Sequence, residues 1–273
     1  MYIHFNGKLV NKSDTHILPG SEGFLYGYGL FETIKLYQGE IIFFAEHFAR
    51  MEDGCKKLGL QLDKGPDEIL NYCYELTQAN QLTNGGIRVT FAKNNQETYL
   101  VITTRASTYR EEVYQKGFKI LFAKAKRNPE ALLVGVKTNN YLENLLTLNE
   151  AKQMGYDEAV FLNVFNKVSE GAISNLFFVK DGEILTPAQE CGLLPGIIRS
   201  KVLDIADKRG IPLETGEFTK EELLNADEIF LTNSLLDIMP VSSIETKALD
   251  LKSNHVTQNL QTELQNLYRR ERS

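Results

Sequence analysis

The sequence predicts an α/β chain of the α+β kind, folded as two domains, and three observations carry that expectation. Tight-turn dipeptides stand between short β-rich runs at Asn6-Gly7, Gln38-Gly39, Asn94-Asn95 and Asp181-Gly182, the pattern of antiparallel hairpins. Apolar residues at helical spacing lie between these hairpins, but without the regular strand-helix alternation that a doubly wound parallel sheet needs. Two breaks, a polar stretch from Ser107 to Gly117 and Asn128-Pro129-Glu130, interrupt the middle of the chain. They divide it into a small N-terminal domain at 1–115, an interdomain connection at 116–133 and a larger C-terminal domain at 134–273.

Taken in order, the opening residues alternate apolar and polar side chains around Asn6-Gly7 and predict a hairpin. Leu30 to Tyr37 reads as a strand, with Glu40 to Phe44 as its partner. Phe48, Met51, Cys55 and Leu58 then share one helical face. Asp67 to Ala79 is a second helical segment, and Ile87 to Phe91 with Thr98 to Thr104 a further hairpin. Lys116 to Arg127 is rich in lysine but broken by Phe118, Ile120, Leu121 and Phe122, so it reads as a strand with snorkelling lysines. Val134 to Lys137 looks like a short strand. Tyr141 to Met154 reads as a helix with Leu142, Leu145, Leu146 and Asn149 at helical spacing. Strands follow at Glu158 to Leu162, Leu176 to Lys180, Ile184 to Thr186 and Glu228 to Leu231. Helices are expected at Ile197 to Lys208, Thr219 to Asn225 and Val256 to Tyr268, before a solvated tail, Arg269 to Arg272.

Composition removes several classes of function. A formal net charge of -6 over 273 residues, with no clustered basic face, argues against nucleic acid and anionic membranes as partners. No run approaches the length of a membrane span, and the N-terminus has no signal-like pattern, so a cytoplasmic location is expected. Three cysteines without CxxC spacing and four scattered histidines give no metal site. Gly27-Tyr28-Gly29 precedes a strand where a dinucleotide fingerprint needs a helix. No GxSxG nucleophile motif is present.

A few residues stand out as able to carry chemistry. Lys137 ends an alternating run, so with Val134 and Val136 inward its amine faces the other way; a desolvated lysine amine is a carbonyl-reactive nucleophile. On composition alone a solvent-facing lysine at a strand end is the ordinary reading of that pattern. Glu170 precedes Gly171-Ala172-Ile173-Ser174-Asn175, small residues beside which a flat ring can approach, and it also fits a surface turn. Leu193-Leu194-Pro195-Gly196-Ile197-Ile198-Arg199 starts a helix whose free N-H groups suit phosphate. Periodicity sets Arg50 off the apolar stripe of its helix, which would leave it exposed. Glu32 lies on the apolar face of Leu30, Ile34 and Leu36, as a buried carboxylate with a cationic partner would.

Six segments in order then resemble the fold-type IV, or class IV, pyridoxal phosphate enzymes: branched-chain aminotransferases, D-amino acid aminotransferases and 4-amino-4-deoxychorismate lyases. They are Gly23 to Thr33, His47 to Arg50, Lys137 to Leu142, Ser169 to Phe177, Leu194 to Arg199 and Thr232 to Pro240. The resemblance implies a small N-terminal α/β domain, a larger C-terminal domain of β-barrel character, a homodimer, and pyridoxal 5'-phosphate at the domain interface. It implies that Lys137 is the Schiff-base lysine and proton carrier, and that Glu170 partners the pyridine nitrogen. Arg50, the backbone at Ile197 and Ile198, and the Ser234 hydroxyl then take the phosphate, and Tyr141 approaches the phenolic oxygen. Tyr26 and Arg88 fall on the substrate side, for an amino acid-like small molecule. Tyr26 to Thr33, Arg127-Asn128-Pro129, Asn140 to Leu146 and Thr232 to Pro240 are most similar to the lyases. A branched-chain or D-amino acid transaminase using 2-oxoglutarate is the alternative.

Overall fold

The computed structural model describes residues 1–106 and 109–271 and divides the chain into two compact units. Ser107, Thr108 and Arg272, which belong to the polar break and the tail discussed above, lie outside the described residues.

The first unit holds residues 1–106 together with 136–141. Its strands are β1 (Tyr2–Phe5), β2 (Lys8–Asn11), β3 (Gly29–Tyr37), β4 (Glu40–Ile41), β5 (Gly85–Asn94) and β6 (Glu97–Ala106), with helices α1 (Glu22–Tyr26), α2 (Phe44–Leu58) and α3 (Pro66–Ala79). They form one antiparallel sheet in the order β2-β1-β6-β5-β3-β4. Alternation along β3 and β5 sends Leu30, Ile34, Leu36, Ile87, Val89 and Phe91 to one face, where Met51 and Cys55 of α2 and Ile69, Cys73 and Leu76 of α3 close the core. The expected partner strand to Phe44 is shorter: Phe43 adopts a left-handed φ of 54°, which ends the extended run, and α2 begins at Phe44.

The second unit holds residues 109–135 and 142–271. It opens with α4 (Glu111–Lys116) and β7 (Phe118–Arg127), then α5 (Leu142–Gln153), β8 (Glu158–Asn163), β9 (Val168–Gly171), β10 (Asn175–Lys180) and β11 (Glu183–Pro187). After these come α6 (Ile197–Arg209), β12 (Leu213–Gly216), α7 (Lys220–Leu224), β13 (Glu228–Asn233), β14 (Asp237–Ile244), β15 (Lys247–Ala248) and α8 (His255–Glu271). The sheet runs β12-β11-β10-β13-β14-β7-β8-β9, with β15 beside β14, and mixes parallel and antiparallel pairs. It curls on itself: Val168 N-H donates to the Phe218 carbonyl at 2.8 Å, and Lys167 bridges Thr219, just beyond β12. This is the expected barrel character. Leu176, Phe178, Ile229, Leu231, Met239 and Val241 fill the interior, while the stacked rings of Phe177 and Phe230 point outward from β10 and β13, the latter packed by α6 and α8.

Two local expectations are corrected. Val134 to Lys137 is a turn with Gly135 at φ 78°, and only Thr138 enters a strand-like bridge. In α5 the leucines at helical spacing point outward, Leu142 at 66% exposure and Leu146 at 59%, while Asn144, Leu148 and Ala151 face β7 and β8. The inward position of Asn144 is set by its amide, which donates to the Ala172 carbonyl at 2.6 Å.

Candidate active site

In the first unit, Lys137 is fixed through its backbone to the start of β3. Phe31 N-H donates to the Lys137 carbonyl and Asn139 N-H to the Gly29 carbonyl, each at 2.9 Å. The Asn139 amide continues past Gly29 to the Phe91 carbonyl on β5 at 3.2 Å. Gly29 must be glycine for this passage, because a Cβ there would lie 2.4 Å from the Asn139 amide nitrogen. The Asn140 amide donates to the Gly27 carbonyl at 3.1 Å.

Phe31 is the centre of the group that results. Lys137 Nζ stands 4.7 Å from its ring centroid, the Arg88 guanidinium carbon 3.6 Å, and the Tyr141 ring meets it edge-on at 5.3 Å. Lys137, Tyr141 and Arg88, singled out separately in the sequence, are therefore gathered around one aromatic ring. Tyr26, on the short helix α1, is 68% exposed.

On the opposite face of β3, Glu32 is buried and accepts from Arg50 Nε and an Arg50 terminal nitrogen, each at 2.7 Å, and lies 2.7 Å from His47 Nδ1. Arg50 is thus covered by Glu32, with its side chain 16% exposed, instead of lying free on the helix surface as periodicity suggested. Burial alone would raise the Glu32 carboxyl, but Arg50 and then His47 outweigh it and hold it well below the usual carboxylate range. His47 is pulled below its ordinary value by burial, against the pull of Glu32 and with Arg50 and Lys137 adding their repulsion.

In the second unit, a loop at 191–196 is laid against the strands by four side chains. The Asn163 amide donates to the Cys191 carbonyl at 3.3 Å, the Ser169 hydroxyl to the Gly192 carbonyl at 3.1 Å, and the Asn175 amide to the Leu194 carbonyl at 2.8 Å. Glu170 Oε2 accepts from Leu194 N-H at 3.0 Å, and its other oxygen lies 3.4 Å from Arg127. Arg127 rests 3.9 Å above the Phe161 ring and also reaches Glu143 at 2.6 Å.

That loop delivers the first turn of α6, whose N-cap Gly196 carries no side-chain cap, so the backbone at Ile197 and Ile198 begins the helix uncapped. A Cβ at Gly196 would meet Asn175 Oδ1 at 2.0 Å, which makes glycine obligatory at this approach. Beside Asn175 in the β10-β13 register, Thr232 Oγ1 is buried without a hydrogen-bond partner. Ser234 follows in the turn after β13, which Asn233 braces by accepting from Leu235 and Leu236 N-H. An uncapped helix start, a glycine cradle and an orphaned hydroxyl suit a phosphate group, and an amine over aromatic rings suits a carbonyl-bearing ring. The two sets of features belong to different units, and each by itself fits one end of a phosphorylated aldehyde cofactor.

Phe31, Arg127, Asn175 and Glu158 were not singled out as site residues from the sequence. Glu158 carries a signal in hindsight: it is a carboxylate at the head of a run covered on both faces, Glu158 to Asn163. Among the described residues no cluster of three metal-ligating side chains occurs, and no helix is long and apolar enough to cross a membrane.

A family model for amino-transferase class IV matches residues 29–244. The aminodeoxychorismate lyase of Bacillus subtilis is 31% identical, over 98% of this chain and 94% of that protein. The D-alanine aminotransferase of Bacillus licheniformis is 30% identical, over 97% and 96%. Among solved structures, the branched-chain amino acid aminotransferase of Escherichia coli superposes with a TM-score of 0.92 at 28% identity, covering 97% of this chain and 94% of that one.

Proposed function

We propose that this chain, which belongs to the class IV aminotransferase family, is a 4-amino-4-deoxychorismate lyase that releases pyruvate and 4-aminobenzoate, a folate precursor. The enzymes of this family depend on pyridoxal 5'-phosphate, which when bound supplies an electron sink for carbanion chemistry at an amine-bearing carbon.

Lys137 Nζ is the group that bonds the cofactor and takes the proton from the substrate carbon bearing nitrogen. Phe31 and Tyr141 shelter that amine from water. Glu170, oriented by Leu194 N-H and Arg127, partners the pyridine nitrogen. Arg50, oriented by Glu32, joins the backbone of Ile197 and Ile198 and the Ser234 hydroxyl in holding the phosphate. Arg88 and Tyr26 serve the substrate, with Arg88 supplying a cation for its carboxylate. The exposed apolar face of Leu142, Leu145 and Leu146, with Leu132 and Phe165, supports a homodimer. The three free cysteines suit a cytoplasmic setting.

The observation that carries the lyase reading is the likeness to the Bacillus subtilis lyase over nearly the whole of both chains. A transaminase acting on branched-chain or D-amino acids with 2-oxoglutarate is the second reading, favoured by the equally complete likeness to the D-alanine aminotransferase. Purified protein assayed with both substrate sets separates the two. The proposal expects 4-aminobenzoate and pyruvate in equal amounts from aminodeoxychorismate. Leucine or D-alanine transamination without 4-aminobenzoate would overturn it.

A further inference from the structure

Glu158, at the head of β8, is fully buried, yet its carboxylate accepts four hydrogen bonds. Oε1 accepts from Ala159 N-H at 2.9 Å and Ala172 N-H at 3.1 Å; Oε2 accepts from Ile173 N-H at 3.1 Å and the Ser174 hydroxyl at 2.9 Å. Three of the four donors belong to the turn between β9 and β10. The same turn is gripped from its carbonyl side, by the Asn144 amide at Ala172 and by the Asn233 amide at Ile173, 2.6 and 2.9 Å. It closes on itself through Gly171 N-H to the Ser174 carbonyl at 2.7 Å, so tightly that a Cβ on Gly171 would lie 2.1 Å from Ser174 Oγ.

What this turn joins gives the arrangement its meaning. One residue before it stands Glu170, and one after it Asn175, which holds the Leu194 carbonyl ahead of α6. Asn233, which grips the turn, adjoins Ser234. The segments bearing Glu170, Asn175 and Ser234 therefore meet at a single buried knot with Glu158 on its donor side.

We infer that Glu158 is a positioning residue of the cofactor site, fixing the 171–174 turn so that Glu170, the α6 start and the Ser234 turn keep one mutual geometry. The inference rests on the roles proposed for Glu170 and Ser234. When ionised, Glu158 is an acceptor at both oxygens; an amide at 158 would instead fix a permanent donor facing Ile173 N-H or the pair Ala159 and Ala172 N-H, and aspartate is one methylene short.

A matched control lies in the same unit. Glu228, at the head of β13, is also buried and accepts from Val256 N-H, Thr257 N-H and the Thr257 hydroxyl, but it caps α8, away from the 171–174 turn. The test measures urea stability, the affinity of apoprotein for pyridoxal 5'-phosphate and the absorbance of the bound cofactor in Glu158→Gln, Glu228→Gln, Ser174→Ala and Glu170→Gln. E158Q and E228Q should both lose stability. Only E158Q should also weaken cofactor binding, by about tenfold, the equivalent of one buried hydrogen bond, and shift the bound absorbance band. S174A, which deletes a single donor, should move affinity in the same direction by a smaller factor, and it decides the matter should E158Q not fold. Equal effects of E158Q and E228Q on affinity, or none from S174A and E158Q while E170Q acts, would overturn the positioning role. An E170Q protein with unchanged affinity and absorbance would instead overturn the reading of Glu170 and with it the purpose of the clamp.

Discussion

Glu32 in the first unit and Glu158 in the second are both almost wholly removed from water, and their surroundings drive them in opposite directions. Glu32 faces a guanidinium and an imidazole and is held well below the usual carboxylate range, the attraction exceeding the penalty of burial. Glu158 faces only neutral donors; burial pushes its carboxyl up to about 7, against the pull of Ala159, Ile173, Ser174 and Ala172. Burial does not therefore fix the charge of a carboxylate; a full cation within contact does. Each arrangement suits its place. Glu32 holds the Arg50 guanidinium in position, whereas Glu158 holds backbone in position without bringing a second cation near Glu170.

The largest effect that tests this contrast is Glu32→Gln. It leaves Arg50 buried without its counter-charge, and removal of one partner of a buried pair costs about 3–5 kcal/mol. Urea unfolding should show a loss of that size, with weaker cofactor binding. Glu158→Gln should cost less, about 1–3 kcal/mol, since hydrogen bonds but no ion pair are lost. If the two losses ranked the other way, the contrast would fail.

The two glutamates should also leave opposite marks on the pH dependence of stability. The ordinary carboxyl value is 4.5 for both, and Glu32 lies below it when folded. Its contribution is complete above that value and is lost as pH falls towards the folded value. Glu158 lies above it, so between pH 4.5 and about 7 the folded chain holds a proton that the unfolded chain has released. Stability from this group is greatest below pH 4.5 and declines as pH rises through about 7, by roughly 3 kcal/mol for a shift of that size. Urea midpoints of the wild type across pH 4.5 to 8 should show that decline, and E158Q should flatten it. The smallest expected effect is Ser174→Ala, about 1 kcal/mol or less of stability, the worth of one hydroxyl donor.

How far these features were legible in the sequence follows from the range of the forces behind them. Hairpins at Asn6-Gly7 and Asn94-Asn95 and the helices over α2, α3 and α6 depend on local turn chemistry and periodicity, and they stand where expected. The burial of Glu32 was also readable, because it shares a strand face with Leu30, Ile34 and Leu36. Arg50 was not readable from periodicity, since its cover is Glu32, 18 residues away. The turn at Val134 to Lys137 was misread because alternation of four residues is too short a signal to outweigh Gly135 at positive φ. The outward leucines of α5 misled for another reason: apolar spacing does not say which face of a helix turns to the core of its own chain, and here Asn144, Leu148 and Ala151 take it. The Glu158 knot joins residues 158, 172–174 and 233, and only the curled sheet brings these together.

Everything proposed for the site depends on Lys137 being the residue that bonds the cofactor. Purified protein loaded with pyridoxal 5'-phosphate, reduced with borohydride, digested and sequenced by mass spectrometry tests it directly. A pyridoxyl-phosphate mass is expected on the peptide containing Lys137 and none in Lys137→Ala. A label on another lysine, or no borohydride-fixed label on the wild type, would contradict it.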